Sequence, residues 1–545
     1  MKWQFNRLVD HSSLCVRYFL TFRGHLTVIS IVLIGIYFWK NISKWWWQRT
    51  RLIAFASRLP GPRAIPMLGN ALEFACKTED TLDRIVDICS AYETPFRVWL
   101  GPKLYVVVTE PRDYETILGS GKAAYKDTIY RILEPFVGQG LVSGSGPKHR
   151  AHRKLIIPML NNKSLSVYLR YFDRHSRTCA DLLEREIGAG EFDISSYMAH
   201  CTIDIMLDTI FGSPGTTQKN DYKELAYWTE RMYEIVHARM TKIWLYYDSL
   251  FFLTKLGKDH NKGVETIRSF AENAIVRKKA EHYEFERGEK NPERPRVMVL
   301  EQLIAHVNKF NDMDDVELRD EIYTVFTAAQ DTTGVISSFA FLMLGMHPAV
   351  QEKVRNEVNA VLGDEAIDED HIPKLKYLEM VIRETIRLFP IAPLMVRQLK
   401  GDIVLESCTL PEGCSVLMVP FVTHRNPKFW DEPDKFIPER FLPENSEERH
   451  HCANVSFSGG PRGCIGGSND VSLVGHSHVK HNFITKTMFL LPGQKFAIIC
   501  LKTIVANVIR RYKLSSSLKY ENLRLKTDIS VRSRDGYKLS ITKID

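Results

Sequence analysis

The sequence predicts a mainly α-helical protein with small β-sheets, an α+β body behind an apolar and basic N-terminus. Three observations carry this. From about Tyr114 to Leu362 helical patterns dominate, interrupted at Gly212–Asn220 and by the charged stretch Phe285–Arg296. Short β-like runs at Phe96–Leu100 and Leu104–Thr109 suit a small sheet. No βαβ alternation accompanies them, which argues against a dinucleotide-binding fold.

Taken from the start, the first 51 residues hold eight Lys/Arg against one acid, Asp10, and so supply +7 of the chain's net +8. The remainder is nearly neutral, and nothing points to nucleic acid. Leu26 to Trp39 is an uncharged apolar run followed by Trp45-Trp46-Trp47. Fourteen helical residues span about 21 Å, less than a hydrocarbon core of roughly 30 Å. Gly24, His25 and the tryptophans as interfacial anchors make a tilted span, so residues 1–57 are expected to be a membrane anchor with its basic flank. A buried core helix and a cleaved signal peptide are the competing readings, the second disfavoured by the absence of a small-residue cleavage site. Lys/Arg counts are four on each side, so charge does not set orientation. Ten cysteines without framework spacing, in a chain of this length, indicate reduced thiols and a cytosol-facing body at 58–545. Leu59-Pro60-Gly61-Pro62-Arg63-Ala64-Ile65-Pro66 cannot continue a helix and reads as a stiff hinge.

Near the C-terminus stands Phe457-Ser458-Gly459-Gly460-Pro461-Arg462-Gly463-Cys464-Ile465-Gly466. Its glycines and proline let the backbone turn tightly and aim amide N–H groups at the sulfur. Such donors favour the thiolate over the thiol. This string resembles the haem-binding signature of the cytochrome P450 family. The resemblance implies a triangular helix-rich haem domain, with Cys464 as the axial ligand of haem b iron and Phe457 and Arg462 as cofactor contacts. The haem would be held non-covalently apart from the iron–thiolate bond.

In the family the turn runs into a helix as cysteine, x, glycine, x, Lys/Arg, Phe, Ala. Here that continuation is Gln494-Lys495-Phe496-Ala497, with the 27 residues Gly467–Gly493 in between. Residues 467–493 therefore read as an aberrant insert, a short intron translated in frame, and a helix is expected over Gln494–Lys513. A real insert would cost about 3 kcal/mol of loop closure plus a constant. It would also displace Cys464 from the start of that helix. His476, His478 and His481 in the insert, with His450, His451 and Cys452 upstream, raise a zinc cluster as an alternative, although no pair shows a structural-zinc spacing.

Val325–Thr333 reads Val-Phe-Thr-Ala-Ala-Gln-Asp-Thr-Thr within an apolar helical pattern. An acid and a hydroxyl there can relay protons; the alternative is a threonine bonding back to its own helix beside an exposed aspartate. The segment resembles the family's distal-helix motif, which implies a catalytic role for Asp331 and Thr332. Ala329 replaces the usual glycine. Ala328 stands where many fatty-acid ω-hydroxylases carry a haem-esterifying glutamate, so covalent attachment there is not expected.

Glu384 and Arg387 share one helix face by their i,i+3 spacing. With Arg440 in Pro438-Glu439-Arg440-Phe441 they look like the family's buried Glu–Arg–Arg triad, a structural lock. Lys148–Lys154 is a basic helix start; its Arg153 matches a propionate-binding position, as does Arg397, while His149 replaces the family's tryptophan. Lys148, Arg150 and Lys154 could steer an acidic electron donor.

The resemblance is strongest to the animal branch with fatty-acid ω-hydroxylases and insect members. It implies a membrane-anchored monooxygenase at the cytosolic face of the endoplasmic reticulum, acting on a lipophilic substrate (fatty acid, hormone, terpenoid or xenobiotic). Electrons would come from NADPH through a flavoprotein reductase, with cytochrome b5 as a second candidate donor. The alternative is a non-catalytic membrane protein of the same fold, disabled by the insert beside Cys464.

Overall fold

A 32-residue helix, Asp315–Met346, runs through the middle of the body. It starts at a capping box: Asp314 Oδ1 accepts from Glu317 N at 2.8 Å, and Glu317 Oε2 accepts from Asp314 N at 3.1 Å. Residues from Ile322 onward are almost all buried, as expected of a helix apolar on every face. Pro348 stops it after His347 and opens the next helix, Pro348–Leu362. These elements belong to a computed structural model, which describes residues 30, 33, 36–219, 223–288, 296–465 and 492–544. The chain divides into two units, Met1–Leu59 and Pro60–Asp545.

In the first unit the chain is helical from 36 to 56, and Tyr37, Phe38, Trp39, Trp45, Trp46 and Trp47 are all exposed. Most of the apolar run Leu26–Trp39 lies outside the described residues. No single described helix is long and apolar enough to cross a membrane.

In the second unit, helix dominates. Asn162–Leu183 and Pro492–Ile509 pack on one another, Phe496 meeting Phe172 edge-on at 5.0 Å and Tyr168 at 6.0 Å. Ser195–Met206 lies along the central helix, and Phe339 of the central helix stacks on Phe389 at 3.9 Å. The main sheet has five strands in the order Phe96–Leu100, Lys103–Val108, Ser415–Met418, Met395–Gln398, Tyr125–Lys126. Only the Lys103–Val108 and Ser415–Met418 pair is parallel. The last pairing sets Lys126 opposite Arg397. A small hairpin, Leu525–Thr527 with Val531–Ser533, lies near the C-terminus.

The expected α+β class holds, with local shifts. The second strand begins one residue early, at Lys103. The C-terminal helix spans Pro492–Ile509 rather than Gln494–Lys513, because Tyr512 and Leu514 alternate inward as a strand that pairs with Lys538–Lys543. The interruption at Gly212 is a left-handed residue (φ 65°) closing a π-helical turn, Leu207–Phe211. The insert Gly467–Gly493 falls almost wholly outside the described residues.

One buried carboxylate organises the irregular segment between His424 and Val455. Glu384, on the helix Lys376–Leu388, is fully buried. It accepts from Arg387 at 2.7 and 2.8 Å, from Arg440 Nε at 3.3 Å and from the Ile437 amide at 3.0 Å. Arg387 then donates to the carbonyls of His424, Pro433 and Lys435, and Arg440 to those of Asp431 and Glu432. Bidentate guanidinium geometry satisfies both charges while fixing five loop carbonyls. His424 extends the lock: its Nδ1 lies 3.2 Å from the Arg387 carbonyl, and its Nε2 accepts from the Val455 amide at 3.0 Å. That pattern requires a neutral ring protonated on Nδ1.

Burial pushes the His424 imidazole down to about 3. Unfolded histidine titrates near 6.5, so between those values the unfolded chain binds more protons and stability rises with pH. This contribution is complete above pH 6.5 and is lost as pH falls toward 3. Urea titrations across that window should show a slope from this residue approaching about 1.4 kcal/mol per pH unit, absent in His424→Asn. Glu384→Ala leaves two buried guanidinium groups without their counter-charge and should cost about 3–5 kcal/mol in the same assay; a loss under 1 kcal/mol contradicts the lock.

Candidate active site

The loop Phe457–Cys464 has little secondary structure beyond one turn, Gly460–Arg462, so its shape comes from its neighbours. Within it, the Cys464 amide donates to Phe457 O at 2.9 Å and the Gly463 amide to Gly460 O at 3.0 Å. Gly460 has φ 61°, and a Cβ there would lie 1.9 Å from the carbonyl oxygen of Leu118. Only glycine permits that approach to the helix Pro111–Gly119. Cys464 itself is exposed, and none of the nine described cysteines is in a disulfide.

From the other side comes the basic helix Gly146–Ile156. Arg153 Nη1 donates to Gly463 O at 2.6 Å and Nη2 to Cys464 O at 3.3 Å. Arg462 reaches the carbonyls of Val142 and Leu141 at 3.4 and 3.5 Å. The Leu141 amide in turn donates to Glu321 Oε2 on the central helix at 3.1 Å, and His152 Nδ1 lies 2.7 Å from Glu321 Oε1. A chain of contacts thus joins the cysteine loop to the central helix. Beside it, a cavity of about 510 Å³ lined by Arg131, Lys148, His152, Glu317 and Glu321 opens to the surface.

The electrostatics are one-sided. Burial and the neighbouring guanidinium groups of Arg462 and Arg153 push His149 down to about 3. Burial and the charge of Arg397 bring Arg462 down to about 9. Lys126 is pulled well below its ordinary value by burial and by Arg397 and Arg462. Arg153 and Arg397 are lowered by burial. Five basic side chains therefore share one region, where burial lowers all of them and neighbouring cations lower Lys126, His149 and Arg462 further. Tyr130 sits against it, its ring 4.1 Å from Lys126 Nζ. Two buried nitrogens, Arg153 Nε and Arg462 Nη1, lack a hydrogen-bond partner. Buried cations in that state are what a bound polyanion would relieve.

The comparisons decide the family. The family model described as Cytochrome P450 matches residues 59–468. The chain belongs to the cytochrome P450 family. Its relatives include cytochrome P450 4c3 of Drosophila melanogaster, 30% identical over 91% of both chains. Cytochrome P450 4V2 of Mus musculus is 29% identical over 90% of this chain and 89% of its own, and the Rattus norvegicus 4V2 protein is 30% identical over the same shares.

As a cytochrome P450 the chain is a monooxygenase, and the family implies a haem iron cofactor. The residues present fit that group: a cysteine on a glycine loop offers a thiolate, and the flanking buried cations suit its two propionates.

The residues expected from sequence fall into two sets. Cys464, Phe457, Arg462, Arg153, His149 and Arg397 are brought into one region by the contacts above. Asp331 and Thr332 lie on the central helix, but their side chains are engaged elsewhere. Thr332 Oγ1 donates to Ala328 O at 2.8 Å. Asp331 is buried rather than exposed, and it accepts from Arg532 and, at 3.1 Å, from Ser530 Oγ.

Sequence reasoning missed Lys126, Tyr130, Glu321 and Arg532. Lys126 stands in a two-residue strand whose register opposite Arg397 has no local signal. Glu321 could have been suspected as an acid in an otherwise buried helix. Of the zinc alternative, His450, His451 and Cys452 cluster near Glu115, with His450 Nε2 3.2 Å from its carboxylate. The Cys452 amide already occupies His450 Nδ1. The three insert histidines lie outside the described residues.

Arg462→Leu removes the strongest of the positive charges acting on His149. In the haem-free chain an NMR titration should then place the His149 imidazole above its value of about 3, and haem should be lost faster on gel filtration. An unmoved imidazole would show that burial alone sets it.

Proposed function

We propose that the chain is a membrane-anchored haem-thiolate monooxygenase that inserts one oxygen atom of O₂ into a lipophilic substrate. Overall, substrate C–H, O₂, NADPH and a proton become substrate C–OH, water and NADP⁺. NADPH is oxidised by a separate flavoprotein reductase, with cytochrome b5 as an alternative donor, since no dinucleotide-binding βαβ unit occurs among the described residues. The exposed tryptophan-rich N-terminal helix supports attachment to the endoplasmic reticulum, with the catalytic body facing the cytosol.

The observation that carries this reading is the set of half-buried and buried cations, Lys126, Arg153, Arg397 and Arg462 with His149, gathered at the Cys464 loop, with Arg153 and Arg462 each keeping a buried nitrogen without a hydrogen-bond partner. When bound, haem supplies the iron at which dioxygen is activated, with electron density pushed from the thiolate. Arg153 and Arg462 would hold the propionates through their unpartnered nitrogens, and Lys126 and Arg397 would add to the positive surroundings. Arg153 also clamps the carbonyls on both sides of the Cys464 α-carbon, fixing the backbone that carries the sulfur. Thr332 keeps oxygen lone pairs to accept a proton donor while its own proton rests on Ala328 O. Asp331 is the acid that exchanges protons beside it. Glu384, Arg387 and Arg440 hold the segment that presents the loop.

The second reading, a protein of this fold disabled by Gly467–Gly493, draws on the end of the family match at residue 468, the second residue of that segment. One experiment separates the two. The reduced carbon-monoxide difference spectrum of the chain without residues 467–493 should show the strongly red-shifted band of thiolate ligation, and Cys464→Ser should abolish it. The same band in the full-length chain sinks the disabled-protein reading. Its absence from both chains sinks the oxygenase reading.

A further inference from the structure

The C-terminal hairpin reaches the back of the central helix at one point, and that point is Asp331. Arg532, on the strand Val531–Ser533, donates through Nη2 to Asp331 Oδ1. Ser530, in the hairpin turn, donates to Asp331 Oδ2 at 3.1 Å. Both carboxylate oxygens are therefore engaged by groups about 200 residues away in the chain. A second acid competes for the same guanidinium, since Asp528 Oδ2 lies 2.5 Å from Arg532 Nε. Asp528 is meanwhile held by its own turn, accepting from the Ile529 and Ser530 amides at 2.6 and 3.1 Å. Tyr233 closes the cluster, its ring 5.8 Å from the guanidinium carbon and its hydroxyl donating to Thr327 O of the central helix at 2.9 Å.

We propose that Arg532 is the positioning residue of the proton-delivery acid: it holds the Asp331 carboxylate ionised and aimed into the hairpin cluster, beside Thr332. The proposal rests on the role given above to Asp331. Its chemical logic is that a carboxylate buried in a helix-rich core would take up a proton and lose its use as an acceptor unless a cation faced it. Burial does push Asp331 up from its ordinary value, the Arg532 charge pulls it back, and Asp528 pushes it up again. The other titratable groups facing the cluster are Tyr233, Tyr537, His237 beside Asp528 and lowered by burial, and, acting on Arg532, Glu230. The tyrosine hydroxyls are held neutral by burial, so Asp331, Asp528 and Glu230 compete for one cation. Arg532 supplies the positive charge that opposes protonation of Asp331, and the Ser530 hydroxyl acts in the same direction.

The test uses the haem-loaded full chain with Asp331→Asn, Arg532→Met, Arg532→Lys and Asp528→Asn. Infrared difference spectra across pH read the carboxyl directly, the Asp331 band being the one missing in Asp331→Asn. Reconstitution with a flavoprotein reductase then gives NADPH oxidation and hydrogen peroxide release against pH, readouts that need no known substrate. In Arg532→Met the protonated carboxyl band should persist about 1–3 pH units higher, and the acid limb of NADPH oxidation should move up with it. Arg532→Lys should restore most of the shift, and Asp528→Asn should move the limb the opposite way. The carbon-monoxide band should survive in all four.

Wild-type band positions in Arg532→Met and Arg532→Lys, with Asp331→Asn impaired, would overturn the proposal and leave the role of Asp331 standing. A normal Asp331→Asn would instead remove that role. If Arg532→Met fails to fold, Asp528→Asn carries the decision: a downward shift of the Asp331 band supports the proposal and an unmoved band overturns it.

Discussion

A loop with little secondary structure of its own cannot hold a sulfur in a fixed direction, so something buried must hold the loop. Here that is the carboxylate of Glu384. It pairs with two arginines that each spend their remaining donors on backbone carbonyls between His424 and Lys435. The arrangement turns one ion pair into a scaffold: charge is satisfied locally, and the geometry of the guanidinium fork is transmitted to the chain that leads to Cys464. His424 passes it on to Val455 through a ring whose two nitrogens have opposite hydrogen-bond roles. Such a network is intolerant of partial loss, because every member left behind is both buried and polar.

The second constraint is electrostatic. Around the loop the protein gathers Lys126, His149, Arg153, Arg397 and Arg462 without acids in proportion. A fold seeking only stability would not place them so, since like charges at low dielectric repel. The strain is spread over backbone contacts: Arg153 donates to Gly463 and Cys464, Arg462 to Leu141 and Val142. The region is thus built for a dianionic cofactor and held in shape by its own carbonyls. Glu321 and His152 tie it to the central helix, so cysteine loop, basic helix and distal residues form one connected frame.

The central helix serves both purposes. Its middle and C-terminal stretch is apolar on all sides and packs as core, which is why an acid within it needs a dedicated partner. Arg532 meets that need from the last hairpin of the chain, and Thr332 meets its own from the preceding turn of the helix.

The sequence by itself determined the class of fold and the chemistry of the cysteine loop. Both are written in local signals: apolar periodicity, a proline hinge, and a glycine string around Cys464 in which Gly460 must allow a neighbour's carbonyl close. Glu384, Arg387 and Arg440 are marked by their resemblance to the family's buried triad, because an i,i+3 pair alone is usually surface decoration. The sequence could not reach Lys126, Tyr130, Glu321 or Arg532. Their importance comes from long-range register, Lys126 opposite Arg397 across a two-residue strand and Arg532 against Asp331 some 200 positions earlier. The same reason explains the reading of Asp331 as a choice between relay and surface charge. Whether an acid on a helix is exposed or ion-paired depends on what packs behind it, and only the tertiary structure brings that hairpin there.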